Sequence, residues 1–168
     1  MKTSFFTQSF VLCVLLLVSC STQTTEPAGS SQDRDEQIAQ QTLVTFLENL
    51  HRRQYEQAAR LYGGPYESMI DNNPSIDPGD HAALMKNACE INGIKCLEVD
   101  NIVLDSDISS KEYNFRVKFL NDDGTLFVRG PCCGGSATDY PPESSFILTV
   151  VKDNEGKFVV MHMPPYVP

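Results

Sequence analysis

The chain is short of bases, of histidine strings and of long apolar runs. Of its 168 residues only 13 are Lys or Arg, against 22 Asp or Glu, giving a formal charge of −9 and a pI near 4.7. That balance argues against nucleic-acid binding, which needs clustered Lys and Arg. It argues equally against docking on anionic lipid by charge alone. No G-x-S-x-G, P-loop, H-E-x-x-H or G-x-G-x-x-G string occurs. No internal repeat is visible, and the apolar run Phe10–Val18 falls well short of the about 20 residues of a membrane span. What remains is one domain's length of sequence, with 41% hydrophobic residues to build a core.

Residues 1–19 read as a signal peptide, with Lys2 their only charge and Phe10–Val18 as the apolar centre. That centre ends in Leu17-Val18-Ser19-Cys20, which resembles the lipobox of bacterial lipoproteins. The resemblance implies cleavage after Ser19 and acylation of the Cys20 thiol. A secretory signal with a chance cysteine, or an uncleaved signal anchor, are the alternatives. Two or three fatty chains would hold the protein firmly on a membrane, where one binds reversibly. Residues 20–32 then form a polar tether with an r.m.s. reach of roughly 20 Å. The expected location is the cell membrane or the outer membrane, with the domain extracytoplasmic.

Residues 33–168 carry the fold. Ile38, Ala39, Leu43, Val44, Phe46, Leu47 and Leu50 recur every three or four residues, predicting an amphipathic helix. A short helix follows over Tyr55–Tyr62, stopped by Gly63-Gly64-Pro65, and Asp80 is an N-cap for a third over His81–Cys89. The period then becomes two. Leu97–Leu104, Tyr113–Phe119, Thr125–Arg129, Ser145–Val151 and Lys157–Met163 read as antiparallel strands. Helices followed by a strand meander make an α+β fold.

Phe46-Leu47-Glu48-Asn49-Leu50 and Tyr55-Glu56-Gln57-Ala58-Ala59-Arg60-Leu61-Tyr62 resemble the opening of the nuclear transport factor 2-like superfamily. The resemblance implies helices packed on a curved antiparallel sheet that forms a cone. Cys89–Leu97 and Gly130–Gly134 are similar to steps kept by bacterial lipoproteins within it. The superfamily includes ketosteroid isomerase as well as binding and assembly domains, so fold alone does not choose a function. The base Asp and buried acid pair that such an isomerase needs cannot be placed in this chain. No catalytic residue is assigned, and no cofactor or metal is expected.

Cys89, Cys96, Cys132 and Cys133 are candidate disulfide partners in an exported chain, with three possible pairings. A Cys89–Cys96 bridge needs only a local reversal about Asn92-Gly93; the two crossing pairings would tie Cys132-Cys133 to the helix-to-strand corner. Adjacent cysteines lack the C-x2-C spacing of a zinc or thioredoxin site. His51 and His81 read as solvated. His162 alternates with Phe158 and Val160, so it either lines a pocket with Tyr62, Tyr66 and Arg116 or reaches solvent at the strand end.

Both faces of the last two strands are apolar. Phe146, Leu148 and Val150 oppose Ile147 and Val151, while Phe158 and Val160 oppose Val159, Met161 and Met163. A sheet with helices on one side should be polar on the other, so a second cover is expected. It is either a partner's sheet in a homodimer, as the resemblance implies, or Pro164–Pro168 folded back. The functional expectation is a lipid-anchored, non-enzymatic domain that binds a small ligand or a protein. Its alternatives are an enzyme of hydrolase, dehydratase or isomerase type and a structural envelope component.

Overall fold

A computed structural model describes residues 31–109, 111–131, 135–139 and 141–168. Cys20, Cys132, Cys133, the signal segment and most of the tether therefore lie outside the described residues. Four helices precede four strands: α1 (Ser31–His51), α2 (Tyr55–Ala59), α3 (Glu67–Asp71), α4 (His81–Glu90), β1 (Glu98–Ser109), β2 (Glu112–Leu120), β3 (Phe146–Lys152) and β4 (Phe158–Val160). The strands form one antiparallel sheet in the order β1-β2-β3-β4, and the fold is α+β. Among the described residues no helix is long and apolar enough to cross a membrane.

α1 begins at Ser31, two residues ahead of the expected start, and runs about 31 Å at 1.5 Å per residue. It buries Ala39, Leu43, Phe46, Leu47 and Leu50, the stripe its spacing predicted. Opposite them β2 presents Tyr113, Phe115, Val117 and Phe119, and β3 presents Phe146, Leu148 and Val150, all buried. Alternate side chains of a strand point to one face, so these residues make one continuous core with the helix. The ion pair of Lys152 with Asp35, at 2.6 Å, ties the end of β3 to the first turns of α1. β1 shifts register against β2 at three places, and such irregularities bend and twist a strand.

Three expectations need correction. Thr125–Arg129 is not a strand: it makes isolated bridges only, Leu120 to Leu126 and Arg129 to Glu143. β3 already occupies that side of β2 from Glu112 to Val117, so the returning chain finds little free edge. The last strand ends at Val160, not Met163. There the His162 Nδ1 accepts the Thr149 N–H at 3.4 Å, in place of a further ladder carbonyl. Finally, β1 runs on to Ser109, beyond the expected end at Leu104.

The free edge of β4 is covered from within the chain. Leu61 O accepts from Val160 N–H at 2.8 Å, and Gly63 N–H donates to Val160 O at 2.9 Å. A Cβ on Gly63 would sit 2.5 Å from Val159 Cγ2, so only glycine allows this approach. The carboxyl-terminal residues do not fold over the outer sheet face. They run antiparallel to Gly93–Lys95, with Lys95 N–H donating to Pro165 O and Val167 N–H to Gly93 O, both at 2.9 Å.

Gly93 is the tightest point of that docking. Its φ is +85°, and a Cβ there would lie 2.4 Å from Val167 O. Gly93→Ala is expected to cost about 2 kcal/mol, from backbone strain and from displacement of the terminal segment. Hydrogen exchange checks the mechanism: Lys95 and Val167 amides should lose protection while the core of β2 keeps its own.

Candidate functional site

The helical half of the molecule meets the sheet at a corner closed by a Cys89–Cys96 disulfide, Cα to Cα 5.5 Å. Of the pairings open from sequence, the local one is therefore present; Cys132 and Cys133 fall outside the described residues. Closing this short loop is worth roughly 2–3 kcal/mol by the loop-entropy estimate. Within the loop, Asn92 N–H donates to Asn87 O at 2.8 Å and Ile94 N–H to Ala88 O at 3.0 Å. Three amides add to this. Asn87 Nδ2 donates to Asn73 Oδ1 at 2.9 Å, and Asn73 Nδ2 to Asn92 Oδ1 at 3.0 Å. Asn73 is buried, so these bonds satisfy groups that would otherwise be costly.

Beside the bridge lies a cleft of about 590 Å³. Its floor is Leu50, Ile94, Leu97 and the disulfide; its polar groups are His51, Arg53, Tyr55, Glu90, Lys95 and Asp122. That volume is in the range of small-ligand sites. The end of α1 supplies Arg53 in an unusual way. Arg53 N–H donates to Leu50 O at 3.0 Å and Gln54 N–H to Asn49 O at 2.7 Å, the pair of bonds that closes a helix in a Schellman motif. The residue at its turning point takes a left-handed backbone, here φ +60°, where glycine is the usual occupant. For an arginine this costs about 1–2 kcal/mol. The guanidinium stands 3.9 Å from Glu90 Oε1, which also accepts the Tyr55 hydroxyl at 3.1 Å.

The four residues proposed as pocket lining are placed differently. Tyr62 and Tyr66 do meet, edge to face with centroids 5.1 Å apart, in a ladder that continues from Phe46 (5.8 Å) to His81 (3.9 Å). Arg116 lies between buried Phe115 and Val117 on the outer sheet face, paired with Asp105. His162 lies exposed past the end of β4, bonded to backbone. Among the described residues, no hydrogen bond or ring contact joins Arg116 or His162 to the tyrosines. The space between α1 and the sheet is filled by Phe46, Phe115, Phe119 and their neighbours, so a polar strand-end residue is turned to solvent. The sequence does not show the disulfide cleft: of its lining, Cys89 and Cys96 are the candidate site residues that the sequence offers.

No family model, curated protein or solved structure matches the chain. Among the described residues, no three His, Cys, Asp or Glu side chains are grouped to hold a metal.

Three phenols hold their protons unusually tightly. Burial pushes Tyr62 and Tyr66 up to about 12, aided by the charge of Glu67 beside Tyr62. Tyr55 also rises to about 12, through burial first and then its bond to Glu90 and that carboxylate's charge, with Arg53 opposing. Each folded value exceeds the unfolded one near 10. Their contribution to stability is thus complete below pH 10 and lost as pH rises through about 12. In an ultraviolet titration these three should ionise late and together with unfolding. Reversible ionisation of Tyr62 and Tyr66 near pH 10 with the fold intact would refute their burial.

Proposed function

We propose that this chain is a lipid-anchored extracytoplasmic binding domain, held on the cell or outer membrane through Cys20 and built as a nuclear transport factor 2-like cone. The observation that carries the reading is the Cys89–Cys96 bridge in the folded domain, taken together with the Leu17-Val18-Ser19-Cys20 sequence ahead of it. Disulfides persist in oxidising compartments outside the cytosol, so two independent features give one address. The order of a long helix, a short helix and a curved antiparallel sheet supports the cone.

A filled core supports binding in preference to catalysis, since it leaves no room for substrate between α1 and the sheet. Among the described residues, the surfaces this reading assigns to recognition are the disulfide cleft and the outer sheet face. On that face Val103, Arg116 and Ile147 are direct cross-strand neighbours. Val103 is 46% exposed and Ile147 41%, around the Arg116–Asp105 pair. This is the face on which a second copy, or another protein, is seated in our reading. With ten residues between Cys20 and Ser31, the amino end of α1 stays near the bilayer.

Metabolic labelling tests the anchor. Expressed in a bacterial host with labelled palmitate, the wild-type chain should incorporate label and be processed. Cys20→Ala should take up none and accumulate as precursor. Equal labelling of the two would remove the anchor from the account.

A further inference from the structure

We infer that the cleft beside the Cys89–Cys96 bridge binds a small carboxylate with an apolar body, gripped by Arg53 and Lys95. The inference rests on the reading of the domain as a binding module and names what that module takes. Two cationic side chains, Arg53 and Lys95, line one cleft of a chain whose overall charge is −9. Arg53 is held loosely, 3.9 Å from a carboxylate that the Tyr55 hydroxyl already engages, and its side chain is 77% exposed. Lys95 makes no ion pair among the described residues. His51 spends its Nδ1–H on Cys96 O at 3.3 Å, which leaves Nε2 of the neutral ring an acceptor, so the anion is held by Arg53 and Lys95 alone.

The backbone supplies the second line of argument. Arg53 occupies a left-handed position where glycine would be unstrained. An arginine kept there puts a planar, bidentate donor over the cleft, and that donor matches carboxylate geometry. The carboxyl end of α1 would ordinarily repel an anion. Here two of its last carbonyls are taken by the Arg53 and Gln54 amides. Glu90 and Asp122 also line the cleft, and they disfavour ligands of high negative charge such as phosphates. Leu50, Ile94, Leu97 and the disulfide provide the apolar floor for the rest of the molecule.

The test uses the full chain in detergent micelles, with N-acetyl-leucine as probe and its uncharged amide as control. Amide shifts of Ile94 and Lys95 are followed by nuclear magnetic resonance. The acid should produce saturable shifts and the amide none. Arg53→Gly should weaken binding by about 10–100-fold, the range expected for loss of a charged hydrogen bond. The same variant should melt at a higher temperature than wild type, because glycine relieves the left-handed strain, so weaker binding cannot be assigned to misfolding. Lys95→Gln should weaken binding without that gain. No saturable shift with the acid, equal binding of acid and amide, or an unaffected Arg53→Gly would each overturn the inference. The titration does not involve Cys20, so failure of the anchor and failure of the ligand class are read separately.

Discussion

The covalent bond between Cys89 and Cys96 sets the geometry on which the rest of the corner depends. It joins the last turn of α4 to the stretch that becomes β1, and so fixes where the helical half turns into the sheet. Gly93–Lys95, inside the bridged loop, is the strip on which Pro165–Val167 docks. The terminal segment is thereby held through backbone bonds to a loop that cannot open without breaking a covalent link. The same bridge lines the cleft that receives Arg53 from the turn after α1 and Glu90 from α4.

Around this bond, local costs are concentrated on one side of the molecule. Arg53 carries a left-handed backbone, Gly93 allows a contact no other residue could make, and Asn73 buries an amide that two other asparagines satisfy. The core under α1 shows the opposite character, built almost wholly of apolar and aromatic side chains packed from helix and sheet. A rigid, ordinary core with one strained, polar corner is the pattern of a scaffold that presents a site at its edge.

Much of the scaffold was readable in the chain. The spacing of Ala39, Leu43, Phe46, Leu47 and Leu50 marks a helix with one buried stripe, and Asp80 caps α4 by accepting from Ala83 N–H at 3.0 Å. Alternation from Tyr113 to Phe119 gave β2 its inward face. Local pattern could not show that β3 would take the edge expected for Thr125–Arg129. Nor could it show that the His162 ring would replace a ladder bond and end β4 early. The cleft was invisible for a related reason. Arg53, Glu90 and Lys95 are separated in sequence and brought together by the bridge, while the left-handed turn at Arg53 lacks the glycine that usually signals it.

The account stands on Cys89 and Cys96 being joined in the protein as the cell makes it. The direct measurement is to isolate the full chain from the cells that make it, denature it without reductant, alkylate it and map the peptides by mass. The account predicts that Cys89 and Cys96 remain unmodified and appear in one cross-linked species until reductant is added. Full alkylation of both before reduction would contradict it, leaving the corner without its clamp and the oxidising address without its structural support.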